Sequence, residues 1–328
     1  MSPWVVLKFG GTSVAPAATW AQIARRTREL LHGHRVWIVA SALSGVSDRL
    51  EQALEDARAG RDGEAVAWIR ARHEALADAL GLDPEARAPW RALLAELDRV
   101  LEGVRLTGEA SPRLKARVMA VGELASTRLG VGALAANGVP ARWVDARTLL
   151  TARAHGRAPE SRRYLEADVE PVQDVARGEA AAAGAPVVLT QGFIAATRRG
   201  ETCLLGRGGS DTSGALFAVL LGAASLEIWT DVHGLFSTDP RTTPTARLLR
   251  RTGYREAQEL AAMGAKVLHP RCLGPVSRHG IPLSIRNTFD PGAPGTTIAA
   301  PAEGEDEAPA VMAVTRRAGV TLLTLSTL

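Results

Sequence analysis

The chain has 328 residues, 46 % hydrophobic and 4 % aromatic, with 39 Lys+Arg against 35 Asp+Glu for a formal net charge of +4. A chain this long and apolar can bury one large core or two. Acidic and basic residues are interspersed, and no Lys/Arg run or set of stacking rings accompanies the small positive charge, which argues against nucleic acid as a partner. Cys203 and Cys272 are too few for a disulfide framework and have no neighbouring Cys or His at metal-ligand spacing, so both are expected to pack as small buried hydrophobes. The first residues show no basic leader or cleavage site, and no apolar stretch approaches about 18 residues. These features predict a soluble, cytoplasmic protein with no membrane partner.

In chain order, Trp4–Phe9 is a short apolar run closed by Gly10-Gly11, which reads as a buried parallel strand. Helical periodicity follows over residues 17–32, then a second strand, Val36–Val39, ends in the small-residue turn 40–45. Strand, glycine turn, helix, strand is the opening of a doubly wound α/β sheet. Residues 46–136 are almost wholly helical in pattern, broken near 60–63, 81–84 and 108–112, and read as a helical excursion beside the sheet. Strands return at 141–144 and 186–190, and 193–197 with 201–205 predict a hairpin across Arg198-Arg199-Gly200. An Ala/Leu-rich helix over 212–221, a strand at 226–229, a helix over 255–263 and a strand at 283–286 complete the unit. The Pro/Gly/Ala/acid-rich stretch 290–309 reads as a linker, and 311–314 and 320–325 as one or two further strands.

Only three of the 39 basic residues are lysines, at 8, 115 and 266, so arginine is the default cation and each lysine asks for a reason. Two of them stand in short glycine-bearing motifs, Lys8 in KFGGTS and Lys266 in GAKVLHP. A compact ammonium on a flexible stem suits a phosphate in close quarters better than a planar guanidinium does. In KFGGTS a lysine ends the strand, and glycines with hydroxyls open the turn, so backbone N–H groups can approach phosphate oxygens. The turn Gly206-Arg207-Gly208-Gly209-Ser210-Asp211 repeats the device, with Arg207 able to fork onto a carboxylate or phosphate. Thr230-Asp231 sits at the carboxyl end of a strand, where open α/β sheets bind ligands. Each motif has a plainer structural reading as a tight turn, a helix cap or a surface salt bridge. The decoy Gly130-x-Gly132-x-x-Ala135 lies inside a helix with no preceding strand, and His269 is explained as readily by a helix start as by catalysis.

Taken together and in order, VVLKFGGTSVA, SALSGVSDRL, VGELAS, QGFIAAT, GRGGSDTSGALFA, IWTDVHGLFSTDPR, EAQELAAMGAKVLHP and TLLTLSTL resemble the aspartokinases, over essentially all of residues 4–328. The resemblance implies the amino-acid-kinase fold, an α/β sandwich with a mainly parallel central sheet and helices on both faces. It implies a catalytic domain over 1–289, a linker over 290–310 and, over 311–328, the first strands of an incomplete C-terminal ACT-type regulatory domain. The activity implied is transfer of a phosphoryl group from MgATP to L-aspartate, giving 4-phospho-L-aspartate, with a homodimer expected for the full-length protein.

Carried over residue by residue, the resemblance makes Lys8, Asp211 and Lys266 the catalytic set, with Asp211 orienting both ammonium groups. The nucleotide would be held by Lys8, Gly10, Gly11, Ser13, Thr230, Asp231, Phe236, Arg241 and Lys266. Aspartate would meet Ser47, Glu123, Phe193, Arg207 and Ser210, with Arg207 on a carboxylate and Glu123 on the α-ammonium. No protein metal site is implied, Mg²⁺ being held mainly through the ATP phosphates. Ser47 stands where family members often carry Thr, and Phe236 where they often carry Tyr. Phe236 therefore keeps an adenine-facing ring but loses a hydrogen bond. Another carboxylate kinase of the same fold, or an amino-acid sensor with a vestigial kinase site, are the competing readings.

Overall fold

The computed structural model describes residues 2–61, 63–153, 156, 158–263, 267–300, 313 and 314. The longer central strands form from apolar runs, while the short edge strands rely on their neighbours: β1 (Trp4–Phe9), β2 (Arg35–Ala40), β3 (Arg142–Trp143), β4 (Val187–Gln191), β5 (Ile194–Ala196), β6 (Thr202–Leu204), β7 (Ser225–Thr230), β8 (Arg251–Thr252), β9 (Leu283–Asn287) and β10 (Thr296–Ile298). Among the described residues the main sheet runs β3-β4-β2-β1-β7-β9-β10-β8. Its pairs are parallel except β9 with β10. All six residues of β1 are buried, as a central strand covered on both faces requires. From β1 the chain moves outward through β2, then returns to place β7 on the opposite side of β1. That reversal opens a crevice at the carboxyl ends of β1 and β7, where this class of sheet accepts ligands.

The helices are α1 (Gly11–Val14), α2 (Ala17–Leu30), α3 (Val46–Arg58), α4 (Ala65–Ala79), α5 (Pro84–Thr107), α6 (Pro112–Ala136), α7 (Glu160–Leu165), α8 (Val175–Ala182), α9 (Gly209–Leu220), α10 (Tyr254–Met263) and α11 (Leu273–Arg278). The expected helical excursion is α3 to α6, and its breaks are chemical. Asp83 caps α5 by accepting from the Ala86 N–H at 2.8 Å, with Pro84 opening the helix. Gly108, at φ 70°, ends α5, and Ser111 caps α6 by accepting from the Leu114 N–H. The predicted hairpin is β5–β6, in register from Ile194↔Leu204 to Ala196↔Thr202.

Three expectations change. Thr296–Ile298 falls in the stretch read as linker yet is strand β10, between β9 and β8. Three residues are too few to show a period, and their stability comes from neighbours distant in sequence. The pattern likewise does not anticipate α7 and α8, of six and eight residues. Finally, α6 contains an 18-residue window of mean hydropathy 1.2, long and apolar enough on that criterion to span a bilayer. With 72 % of that window buried inside the protein, it is a core helix. Apart from Ala313 and Val314, the strands expected beyond residue 310 lie outside the described residues, as do residues 301–310 of the linker.

Candidate active site

The loops leaving β1, β2 and β4 and the turn entering α9 enclose a cavity of about 600 Å³ lined by Lys8, Glu123, Phe193, Arg207, Ser210 and Asp211 among others. A cavity of nearly equal size, about 610 Å³, opens between α9, α10 and α11, but holds none of the predicted residues. Size does not separate the two; chemistry does.

Lys8 is buried on β1, with its Nζ 2.7 Å from Asp211 Oδ1. The side chains are only 10 % and 16 % exposed, so water screens this pair weakly. The lysine stem reaches the carboxylate because Gly214, one turn after Asp211, leaves room: a Cβ there would lie 3.2 Å from Lys8 Cβ. Asp211 Oδ2 accepts from the His269 N–H at 3.4 Å, tying α9 to the LHP end of the second lysine motif. An ammonium has three donors, so Lys8 keeps two for a ligand.

Glu123, on α6, is 3 % exposed and forms the floor. Its Oε1 accepts from the Ala42 N–H at 3.4 Å, while Oε2 is buried with no partner among the described residues. Burial pushes this carboxyl up to about 8, opposed only in part by the Ala42 N–H. An orphaned buried carboxylate oxygen facing a cavity is suited to a cationic ligand group. Arg207 lines the same cavity, exposed and with no ion pair among the described residues. Its turn is set by Gly206 and Gly208, at φ 71° and 68°. A Cβ on Gly208 would fall 2.1 Å from the His269 ring, so Gly208→Ala combines a left-handed backbone with a clash. That variant is expected to lose at least ~1–2 kcal/mol of stability, read by chemical denaturation. Stability equal to the parent would show that the turn is not so constrained. Phe193, also left-handed at φ 67°, is held by its N–H donating to Ser213 Oγ and its carbonyl accepting from the Leu205 N–H. Ser47, half-buried on the first turn of α3, and Ser210 line the same cavity.

Residues 3–287 match the model of the amino acid kinase family. The chain belongs to that family. It is 36 % identical to lysine-sensitive aspartokinase 3 of Escherichia coli, covering all of this chain and 70 % of that protein. It is also 36 % identical to the bifunctional aspartokinase/homoserine dehydrogenase of Haemophilus influenzae, where it spans 36 % of the relative's length. Its fold superposes on the crystal structure of E. coli aspartokinase III in complex with aspartate and ADP with a TM-score of 0.78 at 33 % identity, covering 92 % of this chain and 65 % of that one. An isopentenyl phosphate kinase, at 18 % identity and TM-score 0.51, shares the fold alone.

Against the amino acid kinase resemblance, the predicted nucleotide residues divide. Gly10 and Gly11 line the cavity with Lys8. The Gly10 N–H already donates to Trp229 O at 3.3 Å, so this amide is committed to the sheet. The Ser13 side chain is turned inward: it is fully buried, shares a 2.7 Å hydrogen bond with Thr288 Oγ1 and lies 3.4 Å from Trp229 O. Its hydroxyl fastens the glycine turn to the β9 exit. Thr230 and Asp231 stand at the carboxyl end of β7, outside that cavity, with Thr230 Oγ1 donating to Asp231 Oδ1 at 3.2 Å. Phe236 bridges to Leu248 in the following loop. Arg241 is 79 % exposed and folds back onto Asp239, its Nη2 3.0 Å from Oδ2. Lys266 lies outside the described residues. His269 accepts from the Arg271 N–H through Nδ1, the helix-start role that was one of its two readings, while its own backbone N–H reaches Asp211, a contact the motif alone does not show. Lys115, noticed only as the third lysine, pairs with Glu51 on the cavity wall.

Proposed function

We propose that this chain transfers the γ-phosphoryl group of MgATP to the β-carboxylate of L-aspartate, giving 4-phospho-L-aspartate, the first step towards lysine, threonine and methionine. The observation that carries the reading is the Lys8–Asp211 pair sharing one cavity with a partnerless buried Glu123 oxygen and an unpaired Arg207. An α-amino dicarboxylic acid has one ammonium and two carboxylates. Glu123 takes the ammonium, Arg207 a carboxylate, and the remaining carboxylate is left towards Lys8. Ser47 and Ser210 offer hydroxyls to the same ligand.

The nucleophile is ionised at neutral pH, so no general base is needed. The difficulty is bringing one anion to another. Lys8 holds two free N–H donors towards the developing charge, and Asp211 fixes where they point. Lys266 is assigned the matching role on the nucleotide side. Mg²⁺ would enter with the nucleotide, held mainly by its phosphate oxygens. When bound it neutralises phosphate charge. Thr230, Asp231, Phe236 and Arg241 are proposed for the nucleotide from their place after β7.

Incubation with ATP, L-aspartate and hydroxylamine is expected to trap aspartyl hydroxamate. Trapping with glutamate or acetylglutamate instead would change the acceptor, and no trapping at all would sink the reading. Arg207→Ala is expected to raise the aspartate KM by about 10²-fold while moving the ATP KM less than threefold, since a charge-assisted bidentate contact contributes ~2–3 kcal/mol. Equal effects on both substrates would overturn the division of sites.

A further inference from the structure

Lysine is rare here, and Lys115 is the one lysine that the motifs leave unexplained. On α6 it is flanked by Arg113 and Arg117, which turn away to Glu201 and Glu96. Lys115 alone of the three lines the cavity, two helical turns before Glu123. Its ammonium pairs with Glu51, which lies on α3 one turn after Ser47 and lines the same cavity. The side chains are 31 % and 54 % exposed, which puts the pair at the mouth rather than on the floor. As a mere surface bridge it would contribute ~0–1 kcal/mol, and arginine serves that purpose elsewhere on this surface.

The charge inventory gives the pair a different task. The ionisable groups lining the cavity are Lys8, Lys115 and Arg207 against Glu51, Glu123, Glu166 and Asp211. Lys8 is already matched by Asp211. Without Lys115, Arg207 alone would face Glu51 and Glu166, even with Glu123 protonated. A substrate bearing two carboxylates and one ammonium would then approach a cavity of its own sign.

We propose that Lys115 and Glu51 form an electrostatic entry element that sets the acceptor's affinity, with Lys115 drawing the dicarboxylate in and Glu51 tempering that attraction. The inference rests on the aspartate reading above and adds two specificity-determining residues to it. Because the two charges act on the acceptor with opposite signs, removing one or the other must shift affinity in opposite directions. A pair that merely braces α3 against α6 is broken equally by either removal, so both losses would do the same harm.

The test is steady-state kinetics of Lys115→Met, Glu51→Gln, the double variant and Lys115→Arg, with melting temperatures to confirm folding. Lys115→Met is expected to raise the aspartate KM about three- to tenfold, and Glu51→Gln to lower it by a similar factor. The double variant returns towards the parent, Lys115→Arg stays within twofold of it, and 0.5 M KCl compresses the differences. The ATP KM and kcat shift less than twofold throughout. Aspartate KM values that rise in both single variants, or change in neither, overturn the entry element while leaving the aspartate reading intact. A parent protein with no aspartate-dependent turnover sinks the two together.

Discussion

Lys8→Met is expected to lower kcat for aspartyl phosphate formation by about 10²–10³-fold, the usual cost of losing one preorganised donor to a developing charge. Methionine keeps the stem that passes Gly214 and removes only the ammonium, so the fold should persist. Asp211, 16 % exposed and 2.7 Å from that ammonium, then loses its partner, which adds a stability loss of ~1–3 kcal/mol. Lys8→Arg should not rescue, because a planar guanidinium does not reproduce the compact ammonium held against Asp211 Oδ1 in this buried corner. Hydroxamate trapping reads the turnover, and equilibrium dialysis reads whether ATP still binds. A kcat within threefold of the parent would remove Lys8 from the mechanism.

Glu123→Gln is expected to abolish measurable aspartate binding and at the same time stabilise the free protein at alkaline pH. The sign follows from burial. The folded-state carboxyl is raised to about 8 from an ordinary value of 4.5. The folded protein therefore holds a proton that the unfolded chain releases, and stability falls as pH climbs between those values. Above pH 8 the penalty of the buried charge is on the order of 3–5 kcal/mol, and glutamine removes it. The melting temperature of Glu123→Gln should exceed the parent's at pH 8.5 and approach it near pH 5. In the parent, binding an ammonium requires the ionised carboxylate, so aspartate affinity should weaken about tenfold per pH unit below about 8. Calorimetry at pH 7 should detect a proton released on binding. Affinity flat from pH 6 to 8.5, with no proton released, would contradict the role given to Glu123.

Much of this was legible along the chain. The strand Trp4–Phe9 with its Gly-Gly stop, the four-helix excursion with breaks at Asp83-Pro84 and Ser111-Pro112, and the hairpin across residues 198–200 are all encoded locally. Periodicity, caps and glycine turns need no distant partner to be read. Lys8, Arg207 and Asp211 stand in motifs that could be read directly, Glu123 and Ser210 were implied by the aspartokinase resemblance, and one cavity gathers all five. The short strand β10 was missed because Thr296–Ile298 gains its hydrogen bonds from β8 and β9.

Side-chain direction and solvation were decided only by the tertiary structure. Ser13 stands in the glycine motif beside Lys8, yet its hydroxyl faces Thr288, 275 positions away. Glu123 looks like any helical glutamate until packing strips the water from Oε2 and moves its proton affinity. Lys115 is only the third of three rare lysines in the sequence until α3 brings Glu51 to it. The sequence by itself determined which groups exist and on which turns they stand, because backbone preferences act over a few residues. Which of them meet, and which lose their water, depended on the sheet and helices packing together, because desolvation and ion pairing are properties of a three-dimensional neighbourhood.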